Sequence, residues 1–216
     1  MRLSYACCAL DSETGNDRDC GYFFWGRDIR ILALQETLHS ENTKTYDRLH
    51  IPGYNTVEPT YVDPTDKPTS LRTRGVALTV DRRLTCYAVG NPSPWMVFVS
   101  VTIPGQPASW LVGSIYIPHA CEMRRQALKE LASNIQRLKR RTRNEEPMII
   151  MGDFNMSAGH LRQHLQRMGC GFLSVNPCRG SPLTWHRITD QRLLRSSIDH
   201  ILSDRCDPAL LLTAVD

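Results

Sequence analysis

Asp153 and Asn155 are the residues of this chain best suited, by type and spacing, to chemistry on a phosphate. They follow Gly152 and the apolar run Pro147-Met148-Ile149-Ile150-Met151. A run of that length reads as a buried strand. Residues two apart on a strand project from one face. The carboxylate and the amide are therefore expected to point into one cleft, the first to handle a proton and the second to hold a phosphate oxygen. By itself G-D-x-N is a weak pattern. Two further acidic strand ends accompany it: Leu34-Gln35-Glu36 closes an earlier apolar strand, and Ser197-Ile198-Asp199-His200 opens a later one.

These residues need a scaffold of strands to hold them. Apolar runs predict strands over 2–10, 28–35, 75–80 and 198–202, besides the one that leads into Asp153. Residues 97–103 and 108–116 read as an antiparallel pair around Pro104-Gly105-Gln106, and Pro118 ends the second. One long helix is expected over 122–141, because Ala127, Leu128, Leu131, Ala132, Ile135 and Leu138 recur at three- and four-residue spacing. Shorter helices are expected over 40–50 and 159–168, a turn at 51–54 and a long polar loop over 58–74. Thr184-Trp185-His186 reads as a strand end. The run Arg137-Leu138-Lys139-Arg140-Arg141-Thr142-Arg143 offers either a phosphate-contact patch or simple compensation of the helix dipole.

The composition bounds the reading without deciding it. The chain has 216 residues, 41% hydrophobic and 22% charged, which suits one domain over 1–216. A net charge of +4 is compatible with an anionic partner. Eight cysteines contain no C-x-x-C pair, so a zinc site is not indicated; reduced thiols in an intracellular protein are the expectation. No apolar run reaches the length of a membrane span.

With Glu36, Asp153-x-Asn155 and Ser-Ile-Asp199-His in that order, the chain resembles the endonuclease/exonuclease/phosphatase superfamily of Mg²⁺-dependent phosphodiesterases. Ser114-x-Tyr116-x-Pro118 and Thr184-Trp185-His186-Arg187 look most like the apurinic-type endonuclease domains of non-LTR retrotransposons. The resemblance implies an α/β fold: a four-layer, DNase I-like sandwich of two mixed β-sheets flanked by helices. It implies a DNA endonuclease that nicks one strand by attack of activated water. Glu36 would then bind the metal (Mg²⁺, with Mn²⁺ as an alternative). Asp153 would position or deprotonate the water, or protonate the leaving group. Asn155 and Tyr116 would hold the scissile phosphate, Thr184 would contact it, and Asp199 would orient a catalytic histidine. Arg74 and Arg187 are candidate contacts to backbone phosphates. DNA is the expected partner, with no membrane and no obligate protein partner, and a DNA substrate implies nuclear residence.

The chain departs from the family pattern twice. The first strand of the family ends in Asn-x-Asn, and Ala6 and Cys8 take those two places. Alanine has no ligand to offer, and a thiol is a soft donor poorly matched to Mg²⁺. The terminal Ser-Asp-His of the family has no counterpart before Asp216. The expectation is a domain truncated at its C-terminus, its last strand missing, with weak or no cleavage. His200 is not a substitute, because it follows Asp199 directly and should face the other way; His119 and His186 match no catalytic position. Two alternatives stay open: a catalytically dead DNA-binding or interaction module, and a phosphodiesterase of the same superfamily acting on RNA or a phospholipid.

Overall fold

The computed structural model describes residues 5–9, 30–35, 51–58, 76–142, 145–177, 185–189, 192–196, 199–205 and 212–214. Along the chain these form β1 (Tyr5–Ala9), β2 (Ile31–Gln35), β3 (Tyr54–Val57), β4 (Val76–Asp81), β5 (Thr85–Ser93), β6 (Met96–Thr102) and β7 (Trp110–Tyr116). Then come α1 (Cys121–Arg141), β8 (Met148–Asp153), α2 (Ala158–Arg167) and β9 (Ser174–Pro177). The last elements are β10 (Trp185–Thr189), β11 (Arg192–Ser196), β12 (Asp199–Ser203) and β13 (Leu212–Ala214). The short helix expected over 40–50 and nearly all of the 58–74 loop lie outside the described residues.

Two mixed sheets result. One has the order β13-β1-β2-β4-β3, the other β5-β6-β7-β8-β12-β9, and β10 and β11 form a separate hairpin. The strands that carry the motifs are buried along their whole length: β2, β4 and β8 show no exposed residue. Such continuous apolar runs are what central strands of a layered fold need. The predicted β6–β7 pair is antiparallel, and β7 then runs parallel to β8 across the connection that contains α1.

The core is divided by the six-stranded sheet. Between the sheets lie Ile31, Ala33, Leu78 and Val80 from one side and Val99, Val112, Ile149, Met151 and Ile201 from the other. Behind the six-stranded sheet, Phe98, Ile115, Ile150 and Leu202 pack against Leu128, Leu131 and Ile135 of α1 and against Leu161 and Leu165 of α2. Leu32, Leu34 and Ala77 point away from the inter-sheet core yet are at most 1% exposed, so the far face of the five-stranded sheet is covered as well. This is the α/β sandwich expected.

Several details differ from the sequence reading. β10 and β11 pair as an antiparallel hairpin where the sequence reading had only a strand end at Thr184-Trp185-His186. β13 pairs in parallel with β1 at the edge of the sheet, in the stretch where the sequence reading expected the last strand to be missing. Lys139 belongs to no surface patch: its ammonium is buried against Asp204 Oδ2 at 2.6 Å and donates to the Glu146 carbonyl at 2.7 Å. That pair ties the end of α1 to the far end of β8, where Asp204 Oδ1 accepts from Met148 N. Cys86, Cys121 and Cys170 are free thiols, and their burial is uneven: Cys170 is buried, Cys86 half-buried and Cys121 exposed.

Candidate active site

Three of the predicted site residues meet in one row. Tyr116 on β7 stands opposite Asp153 on β8, and Asp199 on β12 stands opposite Asp153 from the other side. Neighbouring strands lie about 4.8 Å apart, so the row spans about 10 Å. Alternation fixes which way it faces. Tyr116, Met151 and Ile201 belong to the inter-sheet core, so Asp153 and Asp199, two residues along from Met151 and Ile201, face the same cleft. Tyr116 is 3% exposed.

Gly152 is required by close approach. A Cβ built there would lie 2.0 Å from the Ile115 carbonyl oxygen, far inside van der Waals contact. The missing side chain lets β7 and β8 close up at the point where Tyr116 and Asp153 must sit together. Ile117 N then donates to Asp153 O at 2.8 Å and extends the ladder past the end of β7.

Asn155 converges on Asp153, but not as a strand residue. The strand ends at Asp153, and Asn155 takes a left-handed conformation with φ +48°. Asparagine tolerates that region better than other non-glycine residues. The turn brings Asn155 N within 2.8 Å of Asp153 Oδ1, and Nδ2 within 3.3 Å of Oδ2 and 2.9 Å of the Ile117 carbonyl. Both acceptors fix the orientation of the amide. Its Oδ1 is left buried with no hydrogen-bond partner. A buried acceptor of this kind costs free energy unless something polar meets it.

Two polar contacts brace the site from behind. Gln35 Nε2 donates to Ser114 Oγ at 2.9 Å, and Ser114 Oγ donates to the Leu34 carbonyl at 3.0 Å. Both side chains are 0% exposed. They join the two sheets one residue before Glu36 and two before Tyr116. Arg124 of α1 donates to the Pro118 and His119 carbonyls at 3.2 and 2.8 Å, holding the loop that follows Ile117. Sequence reading missed these braces. The S-x-Y motif was their one visible trace, and Arg124 left none.

His200 faces away from the cleft. Its Nε2 meets the Met156 carbonyl at 2.8 Å, and its ring lies 6.0 Å from that of Phe154, on the helix side of the sheet. Burial pushes its pKa down, so the neutral ring donates through Nε2 and leaves Nδ1 without a partner. Glu36, Arg74 and Thr184 lie outside the described residues. Arg187 is described by its backbone, opposite Leu194 in the β10–β11 hairpin.

The donors here suit a hard divalent cation. They are the Asp153 and Asp199 carboxylates and the unpartnered amide oxygen of Asn155, all oxygen. Among the described residues no three His, Cys, Asp or Glu side chains gather into a cage. A cation such as Mg²⁺, held by one or two carboxylates and its own waters, needs none.

The molecule is thus a sandwich of two mixed sheets with carboxylates and an amide gathered at the strand ends of its cleft. The chain belongs to the Endonuclease/Exonuclease/phosphatase family, whose description matches residues 12–215; its members are nucleases and phosphodiesterases and generally use divalent metal ions. Solved structures agree on the fold. The endonuclease domain of TRAS1, a telomere-specific non-LTR retrotransposon, is 15% identical with a TM-score of 0.60, over 91% of this chain and 82% of that one. An endonuclease/exonuclease/phosphatase family protein from Bacteroides thetaiotaomicron is 16% identical with a TM-score of 0.61, over 99% and 86%. D. rerio TDP2, complexed with a single-strand DNA product, is 12% identical with a TM-score of 0.58, over 94% and 83%. No curated protein matches the chain. Among the described residues no helix is long and apolar enough to cross a membrane.

Proposed function

We propose that this chain is a Mg²⁺-dependent DNA endonuclease of the retroelement type, cutting one strand by attack of water on a backbone phosphate. The observation that carries this reading is the row Tyr116–Asp153–Asp199 with the unpartnered Oδ1 of Asn155 at its edge. Asp153 takes the proton of the attacking water as the new O–P bond forms, or delivers one to the leaving oxygen as the old bond breaks. Asn155 and Tyr116 hold the phosphate, with Thr184, Arg74 and Arg187 contacting the flanking strand. Glu36 and the oxygen donors of the cleft would hold the cation. When bound, it would neutralise charge on the phosphoryl oxygens as a Lewis acid. The retroelement assignment rests on Ser114-x-Tyr116-x-Pro118 and Thr184-Trp185-His186-Arg187, and the fold of the TRAS1 domain is in keeping with it.

Ala6 and Cys8, where the family carries asparagines, and a His200 turned away from Asp199 favour slow turnover. They also support a second reading, a DNA-binding module without catalysis. Nicking of supercoiled plasmid by the purified chain, with Mg²⁺ and with EDTA, beside Asp153→Asn, tests both. Slow Mg²⁺-dependent nicking that disappears in the variant is expected. Plasmid that is bound but never nicked supports the module. Nicking by Asp153→Asn at the parent rate removes Asp153 from the mechanism.

A further inference from the structure

Just beyond Asn155 the chain enters α2, and one face of that helix carries a row of basic residue types. His160, His164 and Arg167 follow at spacings of four and three, so they stack on one side. At 1.5 Å per residue the stripe is about 10 Å long. His160 and Arg167 are exposed and His164 half-exposed. The His164 pKa is lowered first by burial and then by the charges of Arg167, His160 and Arg124, the last reaching across from α1.

Among the described residues no acid pairs with these side chains. The first turn of α2 holds no acidic residue, although an acid there would complement the helix dipole. The ion pairs among the described residues join Arg30 and Arg83 to Asp81, Arg125 to Glu122 and Lys139 to Asp204, and none includes a stripe residue. From Phe154 to Thr189 the sequence has no Asp or Glu, yet it has Arg162, Arg167, Arg179 and Arg187. A phosphate strand laid along this face would favour the protonated form of His164 beside Arg167.

We infer that the His160–His164–Arg167 face of α2, joined by Arg124, is a phosphate-binding track for a DNA strand that continues outside the cleft. The inference rests on the proposed DNA reading and adds to it a surface on the outer, helical side of the six-stranded sheet. It also sets a direction: the track begins where Asn155 leaves the site and follows α2 outward.

The test is binding of a fluorescently labelled 20-base-pair duplex to the full chain in EDTA, over a series of salt concentrations. Each phosphate contact contributes about 0.9 to the slope of log affinity against log salt. Arg167→Gln, an exposed change that leaves the core intact, should make the slope shallower by about 1. Arg140→Gln, at the exposed end of α1, should leave it unchanged. Equal effects of the two changes, or none from Arg167→Gln, overturn the track while leaving the DNA reading standing. A parent chain that does not bind the duplex overturns both.

Discussion

Ser114→Ala isolates the brace between the sheets. The hydroxyl is 0% exposed, accepts from Gln35 Nε2 at 2.9 Å and donates to the Leu34 carbonyl at 3.0 Å. Its removal leaves an N–H of a fully buried amide without that acceptor. An orphaned buried donor costs about 1–3 kcal/mol, and the void left by one oxygen adds little, so a loss of about 2 kcal/mol is expected. For a chain of this length each kcal/mol moves Tm by about 2–4 °C, giving a fall of about 4–8 °C. Gln35→Met combined with Ser114→Ala removes both members of the hydrogen bond. The two changes should be less than additive, with a coupling of about 1–3 kcal/mol in the cycle. Urea unfolding followed by tryptophan fluorescence and by far-ultraviolet circular dichroism measures all four proteins. A loss under about 0.5 kcal/mol for Ser114→Ala, with additive single changes, would refute the claim that this pair couples the sheets.

Gly152→Ala should be worse than a core overpacking of about 1–3 kcal/mol, because the new methyl meets the Ile115 carbonyl at 2.0 Å and can be housed only by parting β7 from β8; a soluble variant with parental denaturation midpoint contradicts this. Lys139→Met strands the Asp204 carboxylate and should cost about 3–5 kcal/mol, while adding Asp204→Asn, which keeps an acceptor for Met148 N, should restore most of it; urea midpoints of the two variants decide. Acid should destabilise the protein in two stages. His200 is held below the ordinary histidine pKa by burial, so the unfolded chain binds the proton first; stability is full above about pH 6.5 and falls as pH drops through that window. Asp81, whose carboxyl the Arg83 guanidinium holds well below the usual carboxylate range, with Arg30 assisting, adds a second loss as pH falls below the ordinary aspartate pKa of about 3.9. Thermal melts between pH 8 and 3 should show both, and His200→Gln should flatten the upper one; a melting point that rises on acidification from pH 7 to 5 would show the sign to be wrong.

Much of this fold was legible because burial on both faces writes continuous apolar runs. β2, β4, β6 and β8 could be read that way, and α1 by its three- and four-residue spacing. β5 could not. It is an edge strand carrying Gly90 and Pro92, with a register break between Val89 and Ser93, so neither period survives in it. β3 is short and only partly buried, which leaves the same ambiguity. In the site, the closeness of Asp153 and Asn155 was legible from their spacing, though a left-handed turn rather than strand alternation achieves it. That Tyr116, Asp153 and Asp199 share one row depends on strand order and register, which no local pattern records. Lys139 was misread for a related reason: its partner Asp204 lies 65 residues away, and a basic helix end looks the same whether its lysine is solvated or paired.

Asn155 is constrained twice over, and this bears on how such a site can vary. Its φ of +48° admits Gly, Asn and Asp with least strain. Its contacts admit fewer: the Ile117 carbonyl and the Asp153 carboxylate both demand a donor, which glycine lacks and aspartate would replace with a facing negative charge. Backbone and hydrogen bonding thus filter the twenty amino acids independently, and the two filters overlap at asparagine. A saturation library at this position, selected first for folding and then for nicking, should narrow from three residues to one. Four letters around Asp153 carry so much information because steric and chemical demands fall on the same few side chains.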